Sequence, residues 1–287
     1  MARLLIVFMR FLAWWPLPLL RGLGAVLGLV LYALARERRH VADVNLALCF
    51  PQWSHAQRRQ VVRQHFVCVM QSLLDRAWLW HAPVRVLQKR LQVRGDLLAL
   101  QQEGGVVVFA PHFVGLDAGG VALTLVQDVP MASIYVPQRG QALDDWVRHG
   151  RNRNGRNRLY ERHAGVKPLV AGLRQGEKLY LLPDMDFGAA ESVFVPFFGV
   201  PAATLPSLSR FARLGRAQVL TVVSRMTPWG YQVEVGEPWG GFPSDDVMAD
   251  TRRMNQALED QVQTMPEQYY WVHKRFKTRP PGSDPVY

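Results

Sequence analysis

The sequence predicts an α/β fold: a mostly parallel central sheet flanked by helices, preceded by an N-terminal membrane-associated helix. Three observations predict it. Short continuous apolar runs, at residues 106–110 and 178–182, have the texture of strands buried on both faces. From about Leu91 onward such runs alternate with stretches of helical spacing. Residues 4–35 are strongly apolar, interrupted only by Arg10 and Arg21.

The apolar N-terminus ends in Arg36-Glu37-Arg38-Arg39. No small-residue cleavage site follows a compact apolar core, which argues against a secretory signal. The uncharged run 22–35 is 14 residues, short for a span by itself. The whole stretch crosses once if Arg21 is tolerated. Otherwise it lies in the interface with Trp14 and Trp15 at headgroup depth. A buried core helix is the third reading, and it requires buried partners for Arg10 and Arg21. The basic exit favours a cytoplasmic body. The expected division is a membrane helix in residues 1–40 and one α/β domain in residues 41–287.

Ser54 and Gln57 form a capping-box pattern after the loop at residues 51–53. Val62, Phe66, Val69, Leu73 and Ala77 then recur at helical spacing, and Pro83 closes the region. Residues 106–110 form a strand after Gly104-Gly105, followed by a helix through Leu125. Strands are expected at 132–136, 178–182, 219–223 and 231–235. Helices are expected from Leu143 into the basic segment, at 205–214 and at 247–262.

The chain of 287 residues carries 34 Lys and Arg against 23 Asp and Glu, a formal charge of +11. With 49% hydrophobic residues it buries a full core and is not disordered. The charge suits a polyanionic partner: nucleic acid, an anionic membrane or an acidic protein. Cys49 and Cys68 are the only cysteines and form no C-x-x-C pair, which excludes a disulfide framework and a thiolate metal site.

Five stretches carry candidate chemistry. The strand at 106–110 runs into Pro111-His112, at the carboxyl end where open α/β sheets expose functional groups. Asp117 follows five residues later. With His112 in the turn and Asp117 in the first turns of the helix, the carboxylate can hold the imidazole in one tautomer, leaving it to act as a base. The spacing alone is unspecific; its place at a strand end is what selects it.

Arg148 and Arg151 open a run continued by Arg153, Arg156, Arg158 and Arg162, with few acidic partners nearby. Guanidinium forks suit phosphate. Asp184-Met185-Asp186-Phe187-Gly188 follows the strand at 178–182. Its carboxylates either organise the arginines or bind a divalent metal. The absence of a His or third acid at ligand spacing favours the former. Residues 194–200 are apolar and rigid, read as core or as a wall for an acyl chain. Thr204 precedes a helix whose free N–H groups can receive an anion.

Taken together, these blocks resemble the lipid A secondary acyltransferases of Gram-negative bacteria, the lauroyl and myristoyl transferases within the wider lysophospholipid acyltransferase superfamily. The resemblance rests on His112 to Asp117, Asp145-Trp146, Gly150-Arg151, residues 183–188, 193–199 and 203–206, with residues 41–51 and 266–279 near the two ends. It implies an inner-membrane enzyme facing the cytoplasm, with no cofactor. Acyl carrier protein would donate the acyl group, and the acceptor would be the hydroxyl of a 3-hydroxyacyl chain on an anionic lipid A precursor. It further implies His112 and Asp117 as the catalytic pair, with Arg148 or Arg151, Asp184, Asp186, Phe187, Gly188 and Thr204 at the substrate. The alternatives are another phospholipid or glycolipid acyltransferase, or a non-enzymatic binder of anionic membrane or nucleic acid. No nucleic-acid motif accompanies the charge. Donors for a tetrahedral oxyanion have no signature in the sequence.

Overall fold

A computed structural model describes residues 2–153 and 155–287. Seven strands form the central sheet: β1 (Leu91–Gly95), β2 (Val106–Phe109), β3 (Met131–Tyr135), β4 (Arg158–Glu161), β5 (Lys178–Leu181), β8 (Gln218–Thr227) and β9 (Gly230–Val235). Their spatial order is β1-β9-β8-β2-β5-β3-β4. Every neighbouring pair is parallel except β8 and β9, joined as a hairpin. A separate hairpin, β6 (Val193–Phe197) and β7 (Val200–Thr204), stands outside this sheet.

The continuous apolar strands are explained by cores on both faces. In β2, Val106 and Val108 face one core and Val107 and Phe109 the other. In β5, Tyr180 and its neighbours Leu179 and Leu181 divide in the same way. One face is covered by α4 (His55–His81), α5 (Val84–Arg90), α6 (Leu97–Gln101) and α7 (Leu116–Val121). The other holds α9 (Val166–Arg174), α10 (Ser207–Gly215) and α11 (Val247–Thr264). The helix after β2 leaves α7 as a π-type turn, Ala122–Val126, closed by the Gln127 N–H on the Ala122 carbonyl. β4 lies inside the basic segment. As an edge strand paired only with β3, it needs little apolar content.

The N-terminal stretch is two helices, α1 (Ala2–Leu12) and α2 (Leu17–Leu34), divided before Pro16. α3 (Arg36–Cys49) follows without a linker. α2 lies along α4. A Cβ on Gly28 would come 2.6 Å from the Val67 Cα, and one on Gly24 2.9 Å from the Gln71 Cα. Arg21 is tied to the fully buried Asp75 at 2.8 Å, and Asp75 also accepts from the Tyr231 hydroxyl and the Trp78 indole. Arg21 thus has the buried partner that a packed helix demands. The opposite face leaves Leu19, Val26, Val30 and Leu34 exposed, and α1 exposes Leu4, Val7 and Phe11 beside the exposed Trp14.

The capping box at Ser54 and Gln57 forms, and α4 runs 27 residues from it. Val62, Phe66 and Ala77 are core, whereas Val69 and Leu73 line an open cleft. The two terminal blocks meet: the Asn45 amide donates to the carbonyls of Trp271 and His273. The closing segment then runs back over the carboxyl ends of the strands, where Tyr269 pairs with Phe113 and Val114 donates to Gln268.

Candidate active site

β2 delivers Pro111 and His112 at its carboxyl end. The His112 backbone N–H donates to Asp184 Oδ2 at 3.0 Å, and Nδ1 lies 2.7 Å from Asp184 Oδ1. Asp184 follows β5, the parallel neighbour of β2, so two adjacent strand ends create the pair. Asp184 is fully buried while His112 is about a quarter exposed, its ring stacked near Tyr270 at 6.4 Å. Burial acts to raise the Asp184 carboxyl pKa. The His112 charge and its two N–H groups outweigh burial, and the net direction is down. The Tyr269 hydroxyl also bonds to Asp184. With Nδ1 held by the carboxylate, Nε2 is the nitrogen left for chemistry.

Asp117 does not orient His112. Its Oδ2 accepts from Arg76 Nε at 2.7 Å, and its Oδ1 accepts from Arg151 Nε at 3.2 Å. In the first turn of α7, its side chain is directed at α4 and α8 (Gln141–Arg151) rather than back at His112. Burial alone would raise its pKa. The two guanidiniums reverse that and hold it at about 2.

Arg151 reaches this point because Gly150 lets α8 close on α4. A Cβ there would sit 2.2 Å from the Trp80 ring. The Gly-Arg pair is therefore one device, a close contact that aims a guanidinium. Arg76, whose guanidinium lies 5.2 Å over the same ring, is a site residue that the sequence motifs did not mark. Its signal was spacing: Val69, Leu73 and Arg76 fall on one stripe of α4 and all line the cleft.

His112, Arg76, Asp117, Arg151 and Tyr270 line this open cleft of about 660 Å³. Behind it lies a mainly apolar cavity of about 100 Å³, lined by Trp80, Gly120, Val121, Met131 and Tyr180 among others. Leu116, Asp117, Ile134, Arg151 and Leu182 line both spaces and mark the junction.

Other expected site residues lie elsewhere. Arg148 pairs with Asp144 at 2.9 Å and Glu161 at 2.6 Å and borders a separate surface depression, so Arg151 is the one at the cleft. Arg153 caps α4 on the carbonyls of Leu79 and Ala82, and Arg158 pairs with Glu177. Asp186 organises the chain's closing segment rather than the arginines. It accepts from the Thr278 N–H and hydroxyl and from the Gly188 N–H. Phe187 lies under Arg162 on the surface, outside the cleft wall. Thr204 is wholly buried and receives the Arg275 guanidinium at 2.8 Å, so it presents nothing to an anion in solvent. The apolar block at 194–200 is no acyl wall. Phe197 is packed against Tyr269 and Phe276, away from both spaces.

A mostly parallel α/β sheet carries a carboxylate-held imidazole at its strand ends, beside an apolar cavity, an arrangement suited to acyl transfer onto a hydroxyl. The chain belongs to the bacterial lipid A biosynthesis acyltransferase family, whose model matches residues 1–278. It is 35% identical to a lipid A biosynthesis acyltransferase of Haemophilus influenzae, over 97% of this chain and 88% of that one. A lipid A biosynthesis palmitoleoyltransferase of Escherichia coli is 34% identical, over 95% and 89% of the two chains. The lauroyltransferase of the same organism is 32% identical, over 93% and 88%.

Proposed function

We propose that this chain moves a fatty acyl group from the thioester of acyl carrier protein to the hydroxyl of a 3-hydroxyacyl chain on an anionic lipid A precursor, at the cytoplasmic face of the bacterial inner membrane. The observation that carries the reading is the His112–Asp184 pair at the wall of a cleft that opens onto an apolar cavity. The thioester is already reactive, so neither a covalent enzyme intermediate nor a cofactor is required. The acceptor hydroxyl has a high pKa and needs a base near neutrality, the role of His112 Nε2, a contribution of ~10²–10⁴-fold. Asp184 fixes the tautomer and stabilises the imidazolium. The carbonyl end of the acyl chain lies in the apolar cavity, about 100 Å³, and the rest of the chain extends beyond it.

The membrane reading follows from α2. Its backbone is seated on α4, which also carries Arg58, Arg59 and Arg63. A spanning α2 would drag that helix, with the exposed Arg59 and Arg63, into hydrocarbon, at several kcal/mol per charge. α1 and α2 therefore lie in the interface, apolar faces down and Trp14 at headgroup depth. One side of α4 holds α2 and another lines the cleft, so the site lies about one helix diameter, ~10 Å, from the anchor. An acceptor lipid reaches it without leaving the bilayer. Apart from the bilayer, the partners are the acyl carrier protein and the anionic acceptor; nucleic acid is not among them.

The test is transfer by the purified chain in detergent or vesicles. Wild type is incubated with acyl-loaded carrier protein and lipid A precursor, and products are read by mass spectrometry. One added acyl mass on the precursor is expected, reduced at least ~10²-fold in a folded His112→Ala variant. Acylation of lysophosphatidate alone, or no transfer with binding to anionic vesicles, would refute the reading.

A further inference from the structure

Tyr270 has no packing reason to stand where it does. Its neighbours in the chain, Tyr269 and Trp271, are 2% and 0% exposed, whereas Tyr270 is 41% exposed. The backbone that carries it is fixed. Tyr269 pairs with Phe113, the Val114 N–H donates to the Gln268 carbonyl at 2.9 Å, and Asn45 holds the Trp271 carbonyl at 2.7 Å. A rigid segment thus holds an open aromatic ring at the wall of the cleft. The ring lies 28° from the plane of His112, with centroids 6.4 Å apart. The imidazole does not need it for orientation, because Asp184 already fixes that through two contacts. An exposed aromatic on a fixed segment beside the base is a surface offered to a ligand.

Position says which ligand. The acceptor hydroxyl must come within about 3 Å of His112 Nε2. In a 3-hydroxyacyl chain, five covalent bonds separate that oxygen from the head group bearing the chain, roughly 6 Å when extended. The head group therefore lies about as far from the base as Tyr270 does. In a lipid A precursor that head group is a pyranose, whose face is a plane of C–H groups that an aromatic π face attracts; a glycerol backbone offers no such plane. Of the two aromatic side chains lining the cleft, Phe113 is buried and Tyr270 is open. We propose that Tyr270 is the platform on which the acceptor's sugar ring stacks, and that it selects a sugar lipid over a glycerolipid. The inference rests on the acyl-transfer reading above.

The platform acts on binding rather than on chemistry. No charge develops on the sugar ring during transfer, so the contact is the same before and at the transition state. Its loss falls on the acceptor KM and not on kcat. Only the aromatic face is used, so the phenolic hydroxyl is dispensable.

The experiment is steady-state kinetics on the full chain with acyl-loaded carrier protein and two acceptors that bear the same 3-hydroxyacyl chain, one on glucosamine phosphate and one on glycerol phosphate. If the glycerol acceptor is not acylated, its inhibition constant is read in place of its KM. Wild type should prefer the sugar acceptor. Tyr270→Ala is expected to raise the sugar acceptor's KM by about three- to tenfold and to leave the glycerol acceptor's within about twofold. Tyr270→Leu keeps bulk without the aromatic face; it should behave as Tyr270→Ala does and replaces it if that variant does not fold. Tyr270→Phe should keep the wild-type selectivity. An equal rise for both acceptors would assign the ring to their shared acyl chain and overturn the inference. A rise confined to the carrier-protein KM would assign it to the pantetheine arm, with the same result. A fall in kcat with a shifted His112 pH limb would make Tyr270 a prop for the base and sink the proposal. Tyr270→Phe behaving as Tyr270→Ala would assign binding to the hydroxyl instead of the face. A wild type that transfers to neither acceptor overturns the function itself. An active wild type with no preference for the sugar overturns the platform alone.

Discussion

His112 and Asp184 are joined twice, by the backbone N–H at 3.0 Å and by the ring Nδ1 at 2.7 Å, across the ends of two neighbouring parallel strands. A double contact of this kind fixes where the ring sits and which nitrogen is protonated. Asp184→Asn keeps the size but offers an amide that can favour the opposite tautomer. Expected is a fall in kcat of ~10²–10⁴-fold at neutral pH with little change in either substrate's KM. Kinetics across pH check it. An Asp184→Asn variant with wild-type kcat would show that the imidazole needs no carboxylate.

Gly150→Ala tests the contact that aims Arg151. The new Cβ would sit 2.2 Å from the Trp80 ring, so α8 must move off α4. The expected cost is ~1–3 kcal/mol of stability. Because burial raises the Asp117 pKa and Arg76 and Arg151 bring it down to about 2, it should rise when Arg151 is displaced. A group with a depressed carboxyl pKa stabilises the fold above its unfolded value near 3.8 and loses that contribution as pH falls towards 2. Gly150→Ala should therefore show a smaller loss of Tm between pH 4 and 2 than wild type. An identical acid profile would mean that the glycine serves packing alone.

The parts legible in the sequence were those fixed by local rules. Two-sided burial made the β2 and β5 runs continuous, and the capping box marked the start of α4. Both are properties of a few adjacent residues. The partner of His112 was not legible, because Asp184 is 72 residues away and reaches it only through strand pairing. Asp117, near in sequence, attracted the assignment and turned out to serve Arg76 and Arg151. Arg76 was hidden for the same reason: a charge on an amphipathic helix looks like a solvated face until the fold sets a carboxylate against it. By local pattern Thr204 opens a helix that receives an anion and the block at 194–200 is core or acyl wall, but the closing segment with Arg275 and Phe276 covers them.

Arg21→Ala examines the seat of the anchor. It leaves Asp75 wholly buried without its cation, in the company of Tyr231 and Trp78. Burial already pushes the Asp75 pKa up, and Arg21 is the main group opposing it. Loss of ~3–5 kcal/mol is expected, read as a lower Tm in detergent. Arg21→Ala combined with Asp75→Asn should recover part of it. No recovery would mean that Arg21 acts through its contact with the Gly230 carbonyl instead.

His65 makes an acid-sensitivity prediction. It is fully buried in α4, its Nδ1 on the Glu267 carbonyl at 3.0 Å and its Nε2 without a partner. Burial lowers its pKa from 6.5 to about 4. The unfolded chain thus binds a proton between these values that the folded chain does not, and stability falls as pH drops from 6.5 to 4. The full difference is about 3 kcal/mol. His81 and His273, also held near 4 mainly by burial, add to the same window. His65→Asn, which retains a donor near the Glu267 carbonyl, should lose less Tm than wild type between pH 7 and 5. Equal losses would exonerate His65.

Gly120→Met probes the acyl cavity. The residue lines the apolar space, and a Cβ there meets no atom within 4 Å. A methionine can extend into that space without disturbing backbone, and each methylene it displaces removes room for one of the acyl chain's. In a hydrophobic pocket one methylene is worth about 1–3 kcal/mol of discrimination. The relatives' names include lauroyl and palmitoleoyl at nearly equal identity to this chain, so overall similarity does not decide chain length. Competition between acyl carrier proteins loaded with different chains should shift the product of Gly120→Met towards the shorter one by about tenfold or more. His112-dependent turnover should persist. A variant that folds, transfers and keeps the wild-type chain preference would place the acyl group somewhere other than this cavity.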